Sequence, residues 1–494
     1  MKVALVKVHP KDNVAVATKA LEKGSRHLID GQELVLATDL PAGHKVALSA
    51  LAAGENVVKY GFAIGSATSA INQGEHVHSH NLATNLSGAG EYRYQQVEPS
   101  IEAFGGGTFM GYRRKNGRVG TRNEVWIVNT VGCVNAIAQR IASRCEQEFA
   151  GIADAFVPFV HPYGCSQLGD DLNDTRAILA ALINHPNAGA VLVVGLGCEN
   201  NQLNKLLEAA GDIDSDRVRF FNSQQVHDEV EAGVEAIGQM LPLLALDKRE
   251  PCPASELVLG MKCGGSDGFS GITANPLVGR MTDRFTALGG TVLLTETPEM
   301  FGAEQVLMNR AKDSATFEAV VKLVQDFKQY FIDHKQPVFE NPSPGNKAGG
   351  LTTLEEKSLG AIQKGGQAQV QEVLAYGEPV HGRGLALLQA PGNDAVSSTA
   401  LAASGATLIL FTTGRGTPLG FPVPTVKISS NSDLYQRKGN WIDFNAGELL
   451  DGVAMDDLSQ AFFERLLAIA SGELTCNERN HSREIAIWKR GVTL

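Results

Sequence analysis

The sequence has no run of about 18 consecutive apolar residues, the length that a helix needs to cross a bilayer. Its first residues, MKVALVKVHPKDN, hold an apolar stretch that is too short for a secretory signal peptide, and Asp12 adds a charge shortly after it. We therefore expect a cytoplasmic protein with no membrane partner.

Basic clusters are missing as well. The 43 Lys and Arg residues and the 54 Asp and Glu residues are spread along the chain, and the formal net charge is -11. Nucleic-acid binding requires a positive surface, so no nucleic-acid partner is expected. A small anionic substrate stays compatible, because a pocket can be locally positive in an acidic protein.

Nucleotide-binding fingerprints are absent too. The sequence contains no G-x-x-x-x-G-K-[ST], and GLGCEN (195–200) lacks the third glycine of the dinucleotide motif. The seven cysteines are odd in number and form no C-x-x-C pair, which predicts free thiols or metal ligands rather than a disulfide framework.

Glycine, by contrast, is abundant: 53 residues, many at the ends of apolar runs. A chain of 494 residues is long enough for two or three domains. A repeated G-x-x-V element predicts a small β domain over residues 1–85, and the composition of 86–110 is typical of an exposed linker. Alternating strand and helix patterns then predict two α/β domains with mainly parallel sheets, at 111–250 and 251–494.

Most predicted strands end in polar side chains, where open parallel sheets bind ligands. We expect these ends to form one site. The residues are Cys133, His161, Cys165, Cys198, Glu199, Cys263, Ser266, Asp267, Asn393, Asp394, Thr412, Thr413 and Arg415. Each alone has an ordinary structural explanation, because cysteine is a common core residue and Asn or Asp caps helices.

Three histidines stand in five residues, HVHSH (76–80). In a regular strand they would share one face, where an H-x-H pair can ligate a divalent metal through its imidazole nitrogens. The alternative is a polar edge strand. Basic residues near polar loops are few: Arg122, Lys347 and Arg415 are either ligands for a carboxylate or solvated surface charges.

Taken in order, these loops resemble those of the altronate/galactarate dehydratase family. The matching stretches include GEHVHSHN, VGTRNEVWI, TVGCVN, HPYGCSQLGDD, VLVVGLGCENNQ, CGGSDGFSGITANP, TETPEMFGAEQ, NPSPGNKAGG, APGNDAV, TTGRGTP and TCNERN. The resemblance implies an α/β multidomain protein whose first domain is a β-clip of the SAF type. It also implies a small sugar-acid substrate, with D-altronate losing water to give 2-dehydro-3-deoxy-D-gluconate in galacturonate catabolism. Ferrous iron (Fe2+) is the implied cofactor, with Mn2+ as a substitute.

On this basis we assign expected roles. His78 and His80 are the metal ligands, and His161 and Lys347 exchange protons with the substrate. Arg122 and Arg415 hold the carboxylate, while Ser266, Asp267, Asn275 and Asn393 contact hydroxyl groups. The competing assignment gives the metal to Cys165, Cys198 and Cys263, with Cys133 as a further candidate, as ligands of an iron–sulfur cluster; their spacing leaves this open.

The sequence is also compatible with other functions. One is dehydration or lysis of another acid, such as galactarate or a sulfonated hydroxy acid, and another is sugar-acid binding without catalysis. A nicotinamide-dependent oxidoreductase is disfavoured by the missing fingerprint. A homo-oligomer is expected, because most soluble oligomers are of this kind.

Overall fold

The structure is a computed structural model that describes residues 3–86 and 91–494. It has an N-terminal domain of short antiparallel strands followed by two α/β domains with parallel sheets, as the sequence predicts. None of the helices in the described ranges combines the length and apolar character that a bilayer crossing requires.

The first domain consists of nine strands in three small antiparallel sheets, ordered β1-β2-β5-β8, β3-β4 and β6-β7-β9. The strands are β1 (Leu5–Val6), β2 (Val14–Ala17), β3 (Arg26–Ile29), β4 (Gln32–Val35), β5 (Lys45–Ala47), β6 (Asn56–Lys59), β7 (Phe62–Ala67), β8 (His76–Val77) and β9 (Leu82–Ala83).

The repeated G-x-x-V element forms the turns of this domain. Gly43, Gly54 and Gly74 have φ of 81°, 83° and 83°, a left-handed conformation that favours glycine. In each case a strand, β5, β6 or β8, begins two residues later. The predicted link between turn and strand is confirmed, but β8 stops at Val77, so the regular strand expected through His80 does not form.

The second domain has a four-stranded parallel sheet in the order β13-β12-β14-β15. A three-stranded antiparallel sheet, β11-β10-β16, lies beside it. Its elements are β10 (Thr108–Arg113), β11 (Val119–Gly120), β12 (Glu124–Asn129), α1 (Asn135–Glu148), β13 (Phe156–Phe159), α2 (Gly169–Ile183), β14 (Ala188–Gly195), α3 (Leu203–Ala210), β15 (Val218–Asn222), α4 (Glu229–Leu244) and β16 (Glu250–Pro253).

Strand β12 shows why these apolar runs become central strands. Val125 and Ile127 pack in one core cluster with α1 and α4, whereas Trp126 and Val128 belong to the cluster on the opposite face. Successive side chains of a strand point to opposite faces, so a continuous apolar run buries both faces at once.

The predicted linker, 86–110, is only partly a linker. Residues 87–90 lie outside the described ranges, and β10 begins at Thr108. The hydroxyl groups of Tyr92 and Tyr94 donate to Glu304 Oε1 and to the carbonyl of Ala311, each at 2.7 Å. This part of the segment therefore packs against the third domain and is not freely exposed.

The third domain has a seven-stranded parallel sheet in the order β19-β20-β18-β17-β21-β22-β23. Its elements are β17 (Val258–Cys263), α5 (Ala274–Ala287), β18 (Thr291–Leu294), α6 (Glu304–Met308), α7 (Ser314–Asp333), α8 (Pro344–Ala348), α9 (Leu354–Ala361), β19 (Val370–Leu374), β20 (Gly384–Leu388), α10 (Asp394–Ala403), β21 (Leu408–Thr413), β22 (Thr425–Ser429), α11 (Ser432–Arg437), β23 (Phe444–Asn445), α12 (Met455–Ala470) and α13 (Cys476–Arg479).

A buried group of three charges joins the first domain to the third. Lys45 on β5 and Lys59 on β6 donate to the two carboxylate oxygens of Glu356 on α9, at 2.9 and 2.8 Å. All three side chains are at most 1% exposed. We call Lys45, Lys59 and Glu356 the interdomain triad; it fixes how the first domain meets the end of the seven-stranded sheet.

Candidate active site at the junction of the first and third domains

Four histidines of the first domain lie together. The ring centroids of His44 and His78 are 5.0 Å apart and stacked, and the ring of His76 lies 5.1 and 5.4 Å from them. His80 is 5.5 Å from His76. We call these four residues the imidazole cluster. His44 was not predicted from sequence, because it precedes β5 and reaches HVHSH only through the β5–β8 pairing.

The third domain orients two of these rings. Nε2–H of His78 donates to the carbonyl of Lys347 at 2.9 Å, and Nε2–H of His44 donates to that of Ala348 at 3.4 Å. A carbonyl only accepts, so the Nδ1 atoms of both rings keep their lone pairs. Burial lowers the pKa of both rings, and that of His76 to about 3, so these three rings are neutral at pH 7. Neutral imidazole is the form that binds metal.

Helix α8 carries the loop that meets this cluster. Ser343 caps the helix, Pro344 occupies its first turn, and Asn346 Nδ2 donates to the carbonyl of Ser266 at 2.8 Å. The segment NPSPGNKAGG thus contains a short capped helix that presents Lys347, and the side chain of Asn346 bonds it to the loop after β17.

Glycines allow three backbones to meet here. A Cβ on Gly268 would lie 2.0 Å from the carbonyl oxygen of Gly43, and one on Gly350 would lie 2.3 Å from the same atom. The N–H of Gly268 also donates to the carbonyl of Gly349 at 2.7 Å. Larger residues would push the first domain away from the loops after β17 and α8.

Arg415 and Asp267 lie on the adjoining loops. Nη1 of Arg415, an exposed residue, donates to the carbonyl of Gly345 at 3.2 Å, and its Nε and Nη2 have no partner among the described residues. Asp267 is buried and accepts from Ser270 N at 2.9 Å, Ser430 Oγ at 2.8 Å and Asn431 Nδ2 at 3.1 Å. Asp267 therefore holds the loop in place, while the guanidinium of Arg415 is available to an anion.

Beneath this surface lies a buried charged group. Lys262 pairs with Glu296 and, at 2.9 Å, with Asp394; Lys357 pairs with Glu299 at 2.8 Å, and Lys364 with Glu296 at 3.3 Å. Cys263 Sγ donates to Glu299 Oε2 at 3.0 Å. The members of this group, which we call the lysine–glutamate cluster, are Lys262, Cys263, Glu296, Glu299, Lys357, Lys364 and Asp394.

One ligand atom from each of Cys263, Glu296 and Glu299 lies within 4.8 Å of the others, the only such grouping of possible metal ligands in the described part of the chain. Three lysines already balance the carboxylates, however. Burial raises the pKa of the Cys263 thiol, so it is protonated at pH 7. The donor chemistry of this cluster therefore fits a cation less well than that of the imidazole cluster.

The remaining strand ends form a second group instead of joining this one. Cys133, His161, Cys165, Cys198 and Glu199 lie at the carboxyl edge of the four-stranded sheet. No hydrogen bond or ion pair within 3–86 and 91–494 links them to the loops around Asp267 and Arg415. The hydrogen bonds and ion pairs of the described residues thus form two groups of polar side chains, one on each sheet, and the expectation that both belong to one site stays a prediction.

His161 does not have a free ring nitrogen. It is 2% exposed, its Nε2–H donates to the carbonyl of Asn129 at 2.9 Å, and its Nδ1 accepts from the N–H of Tyr163 at 3.2 Å. Glu199 is likewise structural, since Thr130 Oγ1 and the N–H groups of Leu196 and Gly197 donate to it. The expectation that His161 exchanges protons with a substrate is not supported by this geometry.

Arg122 is also fully engaged. Its Nε and Nη2 donate to the carboxylate of Glu478 at 2.6 and 2.9 Å, and three main-chain carbonyls, of Thr121, Ile469 and Glu473, accept its other N–H groups. All five donors are used inside the protein, so we no longer assign Arg122 to the substrate.

The last three predicted contacts differ in position. Asn275 is buried, donates to the carbonyl of Gly360 at 2.9 Å and accepts from Thr412 Oγ1 at 2.7 Å. Asn393 is the N-cap of α10, where its Oδ1 accepts from Val396 N at 3.1 Å. The backbone of Ser266 is bonded to α8, which places this residue beside the junction.

The chain is similar to known proteins along nearly its whole length. Three family models match it: the altronate/galactarate dehydratase SAF domain at 3–85, the D-galactarate dehydratase/altronate hydrolase second domain at 111–245, and the D-galactarate/altronate dehydratase C-terminal domain at 254–493. It is 54% identical to the altronate dehydratase of Escherichia coli K12 over 99% of both chains, and 51% identical to that of Bacillus subtilis 168 over 99% and 100%. The L-threo-forming galactarate dehydratase of E. coli K12 is 36% identical over 95% and 93%. The chain therefore belongs to the altronate/galactarate dehydratase family.

Proposed function

We propose that this protein is a hydro-lyase that converts D-altronate to 2-dehydro-3-deoxy-D-gluconate in galacturonate catabolism. Identity above one half to two altronate dehydratases supports the choice of substrate. One structural observation supports the proposed location of the site. The imidazole cluster is hydrogen-bonded to the main-chain carbonyl of Lys347. The guanidinium of Arg415, which has free donors, is bonded to Gly345 of the same helix.

We assign the divalent cation of the reaction to the imidazole cluster. Nδ1 of His78 lies 3.0 Å from Ser79 Oγ and Nδ1 of His44 lies 3.0 Å from Nε2 of His76, so a cation would replace these two contacts. No three residues of the cluster have ring nitrogens within 4.8 Å of one another, and we propose that the rings draw together around the cation. A histidine that ligates metal commonly donates its other N–H to a backbone carbonyl, as His44 and His78 do. Ferrous iron is the cation we propose, with Mn2+ as a substitute. His80, which was expected to be a ligand, lies at the edge of the imidazole cluster, with its ring 5.5 Å from that of His76.

Each residue at this junction then has a proposed role in the reaction. When bound, a divalent cation acts as a Lewis acid toward the carboxylate and 2-hydroxyl of a sugar acid. The free donors of Arg415 match a carboxylate. Lys347 is our candidate for carrying a proton, either from C2 or to the departing C3 hydroxyl group. Ser266 and Asn393 are candidate hydroxyl contacts, whereas Asp267 and Asn275 hold the loops.

A panel of sugar acids tests the proposal. With ferrous iron and without oxygen, we expect kcat/KM for altronate to exceed that for galactarate by at least about tenfold. One missing or altered polar contact in a site is worth about 1–3 kcal/mol, and 1.4 kcal/mol is tenfold. Formation of the 2-keto-3-deoxy product is the measurement. A higher value for galactarate would displace altronate, and tight binding without product would support a binding protein.

Removing the cation is a second test. We expect a chelator to abolish product formation and ferrous iron to restore it, because charge on the developing enediolate needs a counter-charge. The metal-free protein should keep its fold, which is checked by its melting temperature. Full turnover by protein stripped of metal would contradict this part of the proposal.

The proposal also takes the protein to be a cytoplasmic homo-oligomer, without a nucleic-acid or membrane partner. Light scattering on the purified protein measures the oligomeric state, and we expect a mass that is a multiple of 52.5 kDa.

A further inference from the structure

Three exposed cysteines lie at the carboxyl edge of the four-stranded sheet. Cys133, Cys165 and Cys198 are on the loops that follow β12, β13 and β14, three strands that are adjacent in the order β13-β12-β14. We call them the cysteine trio. The other cysteines, at 145, 252, 263 and 476, are buried. Exposed thiols are thus confined to one edge of one sheet.

The backbones beside the trio are tied together. The N–H of Gly132 donates to the carbonyl of Tyr163, and the N–H of Asn201 donates to that of Gly164, both at 2.9 Å. Gly164 has φ of 97°, and a Cβ there would lie 2.1 Å from the carbonyl oxygen of Thr130. The three loops therefore form a fixed frame around the trio.

Unpartnered polar atoms gather at the same edge. Asn129 Oδ1, Gln167 Nε2, Asn222 Oδ1 and Ser223 Oγ are buried and have no hydrogen-bond partner in the described part of the chain. Asn129 is 0% and Gln167 4% exposed. Buried polar groups are normally paired, so four unpaired atoms at one edge offer hydrogen-bonding capacity to a ligand bound there. This observation is independent of the thiols.

We propose that the cysteine trio holds an iron–sulfur cluster. Thiolates favour zinc, copper(I) and iron–sulfur clusters. The three sulfur atoms do not all lie within 4.8 Å of one another. A single ion with metal–sulfur bonds of about 2.3 Å spans at most about 4.6 Å between two of its sulfur ligands. A cluster spreads its ligands over several irons, so it accommodates thiolates that lie farther apart than those of a single ion.

The assignment replaces Cys263 with Cys133 in the ligand set expected from sequence. Cys263 belongs to the third domain, and its thiol donates to Glu299. Cubane clusters take four protein ligands in ferredoxins. Three cysteines leave one iron of a four-iron cluster for an oxygen ligand, such as a water molecule or a carboxylate. The unpaired amides and hydroxyl at this edge suit such a ligand.

Iron and acid-labile sulfide in protein purified without oxygen test the proposal. We expect about four of each per chain, as in a four-iron cluster, with absorption of visible light. C133S, C165S and C198S should each lower the sulfide content at least threefold, and the triple variant should contain almost none. C145S, which changes a buried thiol in α1, should match the wild type, and melting temperatures identify any variant that fails to fold.

Two results would overturn the proposal. One is wild-type protein that binds no sulfide after anaerobic reconstitution with ferrous iron and sulfide. The other is a folded triple variant that keeps the full iron and sulfide content. Both readouts are independent of turnover, so a failure here is distinguishable from a failure of the altronate assay.

Discussion

Replacing Glu356 with glutamine is expected to lower the free energy of unfolding by about 3–5 kcal/mol, the cost of leaving a buried charge without its partner. Lys45 and Lys59 are at most 1% exposed, and both donate to this carboxylate. Neutral glutamine leaves two buried ammonium groups uncompensated. Urea unfolding measures the change, and we expect altronate turnover to fall with it, because the triad positions the first domain.

The matched control is E33Q, which removes an exposed partner of Arg26. Exposed ion pairs contribute about 0–1 kcal/mol, so this variant should unfold nearly as the wild type does. If E356Q changed the stability by no more than E33Q does, the interdomain triad would not hold the domains together.

The Glu356 carboxylate also makes the free energy of unfolding depend on pH. Burial raises the pKa of Glu356, but Lys45 and Lys59 outweigh it and hold the pKa well below the ordinary value of 4.5. Below pH 4.5 the unfolded chain therefore takes up a proton that the folded protein resists. The stabilisation is complete above pH 4.5 and declines as the pH falls. E356Q should lose less stability than the wild type between pH 5 and pH 3, a range of about two units that includes the ordinary pKa of 4.5.

Replacing Lys347 with methionine is expected to lower kcat for altronate by about 10²–10⁴-fold, the usual contribution of a positioned proton carrier. The fold should survive, because the main-chain carbonyl of Lys347, not its side chain, accepts the hydrogen bond from His78. Initial rates and melting temperatures of the same preparations separate the two effects.

K322M serves as the control for K347M, since Lys322 is an exposed residue of α7 whose ammonium pairs with Asp326 at the surface. K347R adds a further distinction, because arginine keeps the charge but does not release its proton. Recovery of wild-type kcat in K347R would assign Lys347 to charge alone. Wild-type kcat in K347M would remove this residue from the reaction.

Local patterns in the sequence were sufficient to predict the architecture. The G-x-x-V turns and the apolar runs depend on nearby residues, so the β domain and the parallel strands could be predicted. HVHSH, Lys347 and Arg415 were likewise found from local context.

Partners that are distant in sequence could not be predicted. Arg122 looked like a free cation, but Glu478, 356 positions away, takes two of its donors. His44 joins HVHSH only through strand pairing, and the lysine–glutamate cluster combines residues from 262 to 394. Nor does alternation of strand and helix tell which sheet a strand joins, so the sequence could not show that the polar strand ends are divided between two sheets.

The most direct test of the account is the initial rate of altronate dehydration by the double variant H44Q/H78Q, in ferrous iron and without oxygen. Glutamine keeps a donor for the carbonyls of Lys347 and Ala348 but removes both imidazoles from the cluster. We expect a rate at least 100-fold below that of the wild type, about 2.7 kcal/mol in barrier, at an unchanged melting temperature. A rate equal to that of the wild type would show that altronate reacts somewhere other than the junction of the first and third domains.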